Sequence, residues 1–422
     1  MISPAPAVGS YRLAGAHSPP GTPKCLDVQG ASSANGARIQ QWDCGPAFNS
    51  NQDWIFVHKT NRRPLTHLKA IGYYGVTYTA TAGVPDGIWA ATKDHVNTAV
   101  FVATQDATNL PPQNDHLRNL ALSAAAGVKG SVVLGGTALP YDLFRMKGRN
   151  AGSCTPASPD DIYSRCEAEG GLRVDYAAAW AYIRSRLYQT LGSEPWNSIQ
   201  MFYLLDEPYG SLYASGFSVA ESRQMLELTA SLIKADFPTI PIAVVETPQL
   251  TGQGFPSTID WIGMSCYDVN GCYGTLYMTL YNVMKNSLLP NQRMIILGNP
   301  YKPREWCQPN VSPCAFYRPH LSADPNRVCD IQPQELITTQ AERDALINDA
   351  DFFMNLALSE PKVAAVLLWH AISRLYSYAS PAACAEGGVM IGAIDLRPNP
   401  GGPTPVMEKW KFLGRALGFG TP

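Results

Sequence analysis

No stretch of this chain approaches the roughly 18 consecutive apolar residues that a membrane-spanning helix needs, so no membrane segment is expected. Charge is scarce as well. Asp, Glu, Lys and Arg make up 16% of the 422 residues, the formal net charge is −2, and lysines or arginines never form a run. Such a surface argues against nucleic acid and anionic membranes as partners. The seven histidines are scattered and no two cysteines stand as C-x-x-C, which speaks against a metal hydrolase or a structural zinc site. No cofactor is expected. The G-x-S-x-G elbow of an esterase is missing, and so is a Gly-rich phosphate turn after the first apolar run. The opening MISPAPAVGS lacks the apolar core of a signal peptide and reads as a start or short linker standing where a signal was removed.

What is present points to an exported globular protein. The chain is 45% hydrophobic and 10% aromatic, long enough for one large domain and one small one. Ten cysteines, an even number, fall in loop-like sequence at positions 25, 44, 154, 166, 266, 272, 307, 314, 329 and 384. Disulfides and secretion are the expectation, with metal binding the alternative. The 34 prolines fit the same picture.

Residues 11–57 are strand-and-turn sequence rich in Gly, Asn and Ser, and form one expected domain; residues 68–422 form the other. In the second, short apolar runs alternate with amphipathic stretches. The runs are 68–76, 98–104, 130–136, 199–205, 240–246, 260–267, 293–299 and 363–370. Each is continuous and rich in β-branched or aromatic residues, as strands buried on both faces are. Helices are predicted over 115–127, 174–192, 218–237, 341–359 and 406–418, the third opened by a Ser218/Glu221 capping box. Eight strands alternating with helices predict an α/β fold, a (β/α)8 TIM barrel carrying a small N-terminal all-β module; a doubly wound sheet is the competing architecture. The long irregular segments 137–173, 300–336 and 371–405 each follow a run. In a barrel this gathers them, and the eight later cysteines, on the carboxyl-terminal rim where active sites sit. Cys329 and Cys384 are placed to staple the seventh loop to the eighth.

The same rim collects polar chemistry. The fourth run ends in YLLDEPYG, bringing Asp206 and Glu207 to its tip, and the fifth ends in VVETP, bringing Glu246. The sixth leads into SCYDVNG, with Tyr267 and Asp268; the seventh ends at Asn299, the eighth at Trp369 and His370, and the first carries Tyr74 two residues before its end. Polar residues at strand ends also occur wherever a chain re-emerges into water. Carboxylates on three successive strands beside tyrosine and tryptophan favour a site, because a buried charge needs partners or a use. Paired carboxyls with aromatic neighbours suit glycoside hydrolysis: one protonates the leaving oxygen, and another stabilises or captures the oxocarbenium-like centre. Glu207 is the candidate general acid/base, and Glu246 the candidate nucleophile or base of a retaining enzyme. Asp268 would serve the wider gap of inversion. Asp206 would raise Glu207 by like-charge repulsion or position an acetamide. Tyr267, Asn299, Trp369, His370 and Tyr74 are the candidate substrate contacts.

The "DEP" at the fourth run resembles the acid/base position of (β/α)8 glycoside hydrolases. In the retaining clan of cellulases and β-galactosidases this strand ends in Asn-Glu and a nucleophilic Glu ends the seventh. Here Asp206 replaces the Asn, and MIILGNPY offers no carboxylate. Asp206-Glu207, "CYD" and "LLWH" are also similar to the hexosaminidases and chitinases that use the substrate's acetamido group as nucleophile, although the D-x-x-D-x-D-x-E signature of chitinases is absent. These resemblances imply a secreted glycoside hydrolase acting on a polysaccharide or glycan, with an N-acetylhexosaminidase as one alternative and a non-catalytic sugar-binding barrel as another. Oligomeric state is not legible.

The stretch CLDVQGASSANGARIQQWDC, followed by NSNQDW, resembles one repeat of the ricin-type Q-x-W β-trefoil lectins. The resemblance implies sugar contact by Asp27, Gln40, Trp42, Asn51 and Gln52, and a disulfide between Cys25 and Cys44. It also implies two further repeats, so the segment reads as a truncated lectin module.

Overall fold

In the computed structural model, the described residues are 2–4, 11–13, 24–29, 38–44, 52, 67–74, 92–100, 116–135, 143–145, 171–173, 175–214, 216–265, 274–298, 302–306, 339–369, 374–376, 387–391 and 405–419. They fall into two compact units. One is residues 67–299, 360–372 and 418–422; the other is 1–66, 300–359 and 373–417.

The first unit holds eight strands: β1 (Ala70–Tyr74), β2 (Thr98–Val100), β3 (Lys129–Val133), β4 (Ile199–Asp206), β5 (Ile242–Glu246), β6 (Trp261–Met264), β7 (Arg293–Gly298) and β8 (Val363–Trp369). All pair in parallel with their chain neighbours, and β8 pairs with β1, closing a barrel in sequential order. Every predicted run supplies one strand, and the fold is the TIM barrel that the sequence led one to expect. Helices α1 (His116–Ala125), α2 (Tyr176–Leu191), α3 (Pro208–Ala214), α4 (Val219–Asp236) and α5 (Gly274–Ser287) lie between strands in the chain. α4 opens with the expected capping box: Ser218 Oγ accepts the Glu221 amide, and the Glu221 carboxylate accepts the Ser218 amide.

Strand alternation decides what faces the barrel axis. Ala70, Tyr74, Val100, Val133, Met201, Tyr203, Ala243, Val245, Trp261, Ile295, Leu297, Ala365 and Leu367 belong to one buried cluster, which Ala364 joins from beside the register shift in β8. They share one parity through the strand pairing, as Tyr74↔Val100, Tyr203↔Ala243 and Val245↔Gly263 illustrate. Gly263 stands where a Cβ would come within 2.7 Å of Val245 Cγ2, so a larger residue would overfill this layer. After β3 the chain bridges back from Phe144 to Gly135, and Phe144–Arg145 pairs antiparallel with Gly171–Leu172. The long segment following β3 is thus anchored at that strand's carboxyl end.

The second unit contains the hairpin Lys24–Val28 and Ile39–Asp43, the short pair Ile2–Pro4 and Tyr11–Leu13, and a three-stranded antiparallel sheet of Lys302–Trp306, Gly387–Ile391 and Arg374–Tyr376. That sheet joins the segment after β7 to the segment after β8. Helices α6 (Gln340–Ser359) and α7 (Pro405–Ala416) belong to the same unit, with Lys409 paired to buried Asp351 at 2.7 Å. Cys25 and Cys44 form a disulfide. The other eight cysteines, and with them the expected Cys329–Cys384 link, lie outside the described residues.

Candidate active site

β4 ends with a register shift. Tyr203 pairs with Ala243 and Asp206 with Val245, so three steps along β4 match two along β5. This is a β-bulge, which inserts a residue and re-aims the side chains beyond it. In an unbroken strand Met201, Tyr203 and Leu205 would share the axial face and Asp206 would point to the helices. With the bulge, Asp206 takes the axial position opposite Val245. There it accepts the Tyr203 hydroxyl at 2.7 Å. Tyr74 donates to the Tyr203 hydroxyl at 3.2 Å, with the rings edge-on 5.5 Å apart, and also hydrogen-bonds Asp206. Burial raises the Asp206 carboxyl to about 6 and the nearby Glu207 charge adds to this, while the two tyrosines pull the other way. Tyr74 is raised well above an ordinary phenol by burial, and next by the charge of Asp206.

Glu207 turns the chain. Its φ of 47° is left-handed, a conformation costing a non-glycine residue about 1–2 kcal/mol. Its amide donates to Val245 O at 2.7 Å, and its carbonyl accepts the Ser211 amide at 2.7 Å as the first hydrogen bond of α3. Pro208 follows at the first helical position, where a missing N–H costs nothing. The carboxylate reaches past β5 to β6, where Ser265 Oγ donates to Glu207 Oε1 at 2.7 Å. Ser265 continues the axial parity of Trp261 and Gly263, so Glu207 stands with Asp206 at the carboxyl-terminal mouth of the barrel.

Glu246 is differently placed. It follows axial Val245, so alternation turns it to the helical layer, and it is fully buried. Oε2 accepts the Tyr209 amide at 2.6 Å; Oε1 accepts the Thr247 amide at 2.8 Å and its hydroxyl at 3.1 Å; the Gly210 amide also donates to the carboxylate. Burial raises this carboxyl to about 7 against the lowering pull of those donors. A Cβ on Gly210 would lie 3.7 Å from Glu246 Oε1 and 3.9 Å from Glu207 Cβ, so the two acids flank the first turn of α3. Tyr209 itself stacks on Phe255 at 4.6 Å and donates to Gly254 O at 2.6 Å.

The structure therefore brings Tyr74, Tyr203, Asp206, Glu207 and Ser265 together. Tyr203 and Ser265 were not among the sequence candidates; the end of the sixth run points to Ser265, whereas regular parity from Asp206 leads to Leu204, so only the bulge brings Tyr203 into the site. Tyr267, Asp268, Asn299 and His370 lie outside the described residues, and Trp369 is described only as the last residue of β8. Among the described residues, no three His, Cys, Asp or Glu side chains are grouped as metal ligands.

In the hairpin, Asp27 faces Gln40 across the ladder. Gln40 Nε2 donates to Asp27 Oδ1 at 3.1 Å and Gln52 Nε2 to Oδ2 at 2.9 Å; Asp27 and Gln52 are both buried. Trp42, by contrast, is 59% exposed. Asn51 lies outside the described residues.

Residues 4–77 match the family model described as ricin-type beta-trefoil lectin domain-like. No curated protein matches the chain in sequence. Among solved structures, a GH10 endoxylanase retrieved from a sugarcane soil metagenome is 11% identical, with 81% of this chain and 96% of that one covered and a TM-score of 0.45. Xylanase 10B from Thermotoga maritima is 10% identical, with 84% and 98% covered and a TM-score of 0.46. The Group II chitinase catalytic domain 2 of Ostrinia furnacalis is 10% identical, with 83% and 97% covered and a TM-score of 0.41.

Proposed function

We propose that this protein is a glycoside hydrolase acting on a polysaccharide or glycan, with Asp206 and Glu207 as its working carboxyls. The observation that carries the reading is the end of β4: a bulge and a left-handed turn set two adjacent acids at the barrel mouth in different environments. Pairs of carboxyls driven into different environments are how one site supplies both acid and base. Glu207, half-buried and held through one oxygen by Ser265, is the general acid/base that serves the glycosidic oxygen. Asp206, gripped by two tyrosines on the axis, stabilises or positions the reacting sugar from below. Tyr267, Asp268, Asn299, Trp369 and His370 are proposed to complete the substrate contacts from the neighbouring strand ends. Trp42 offers the hairpin's face for stacking on a sugar ring, while Asp27, Gln40 and Gln52 hold that face in shape. The Cys25–Cys44 disulfide supports an exported enzyme.

A second reading is favoured by Glu246, whose oxygens are both taken by the first turn of α3 and by Thr247. A site whose second carboxyl is the neighbour of the first suits substrate assistance, in which an N-acetyl group supplies the nucleophile. The experiment is sugar release from a panel of polysaccharides that includes N-acetylated ones, comparing wild type, Glu207→Gln and Asp206→Asn. Glu207→Gln loses release from natural glycans but keeps activity on aryl glycosides whose leaving group needs no proton. Equal losses on both substrate types would remove Glu207 from the acid role. Release confined to N-acetylated polymers selects the second reading.

A further inference from the structure

A helix needs its first amides satisfied, and the usual acceptor is the side chain of the residue just before it. In α3 that residue is Glu207, whose carbonyl already accepts the first helical hydrogen bond. Its carboxylate is elsewhere, on Ser265. The amides of Tyr209 and Gly210, second and third in α3, are taken by Glu246 from the adjacent strand. We propose that Glu246 is a positioning residue: by capping α3 in place of Glu207, it frees the Glu207 side chain to work at the barrel mouth. This rests on the reading of Glu207 as a catalytic carboxyl.

The geometry makes the substitution necessary. A glutamate at the N-cap has the same chemistry to offer its own helix as Glu246 does, and with Glu246 absent the Glu207 carboxylate would be drawn to the orphaned amides of Tyr209 and Gly210. The Glu207 carboxylate is held on Ser265 instead, and Val245 O and the cap hold its left-handed turn from either side. Glu246 contributes at both ends of the arrangement, because its carbonyl accepts the amide of Ser265 at 2.8 Å and stands 3.1 Å from the Oγ whose single proton goes to Glu207. One residue thus fixes the helix that follows Glu207 and the hydroxyl that receives it.

The test uses the full chain carrying Glu246→Gln, which keeps length and removes charge. On a glycan that the wild type hydrolyses, kcat is expected to fall about tenfold or more with KM within about twofold, the magnitude of a lost helix cap expressed in the transition state. Hydrogen–deuterium exchange is expected to quicken at Tyr209–Ser211 while the barrel strands keep their protection. A nucleophile behaves otherwise: with Glu246→Ala, added azide would restore turnover by bonding to the anomeric carbon as the aglycone departs, leaving a glycosyl azide. Formation of that product, or unchanged kcat and exchange in Glu246→Gln, overturns the proposal. Should Glu246→Gln fail to fold, Glu246→Asp, charged but one methylene short of the amides, is read the same way. If the wild type cleaves no glycan at all, the glycosidase reading falls, and exchange at Tyr209–Ser211 still decides whether Glu246 is the cap.

Discussion

The Tyr203 hydroxyl donates to Asp206 Oδ1 over 2.7 Å, although the two residues stand three apart on one strand. In a regular strand such residues face opposite sides and cannot meet. Their contact is the direct product of the bulge between them. Tyr203→Phe removes that donor, and since the tyrosine lowers Asp206, the carboxyl will rise further above about 6. A carboxyl-carbon NMR titration checks the shift, and the limb of the pH–rate profile that belongs to Asp206 should move to higher pH with it.

Asp206 also ties stability to pH. Its folded-state value of about 6 lies above its ordinary 3.8, so the folded form holds the proton longer. Stability is full below the lower value and is lost as pH rises through the upper one, by at most ~3 kcal/mol. Asp206→Asn cannot ionise. Its melting temperature relative to wild type should therefore increase between pH 4 and pH 6.5, and a constant difference across that window would contradict the assignment.

Ser265→Ala deletes the hydrogen bond to Glu207 Oε1 while leaving its backbone amide on Glu246 O. A charge-assisted bond of this kind is worth about 1.5–3 kcal/mol. kcat should drop by about tenfold or more and the melting temperature by a few degrees, and Ser265→Thr should recover part of both.

Trp42 is the exposed member of a set whose other described polar members are turned inward. Trp42→Ala should weaken binding to insoluble polysaccharide several-fold in a pull-down assay without lowering the unfolding temperature, because little of the ring is buried. Gln52→Ala should do the opposite and loosen the hairpin, since it strips a donor from buried Asp27.

Much of this architecture is written plainly in the sequence. The runs at 199–205 and 293–299 become β4 and β7 almost residue for residue, because strands buried on both faces must be continuously apolar. α4 likewise begins where Ser218 and Glu221 announce it. That same continuity hides the site's detail. An apolar run without alternation carries no sign of which residues face the axis, so Glu246 reads as a companion of Glu207 when it faces the helices instead. The seven-residue α3 has no amphipathic period to betray it and rests on a carboxylate from another strand. Nothing in YLLDEP marks a bulge, because a bulge is a property of two paired strands and not of one.

The extra residue in β4 separates this barrel mouth from a near twin. Losing a single codon between Tyr203 and Asp206 would leave two steps along β4 matching two along β5, so plain alternation would carry Asp206 to the same axial place opposite Val245 without any bulge. A barrel with the same carboxyls in the same places would then differ from this one by an indel alone, which a comparison of substituted positions would pass over.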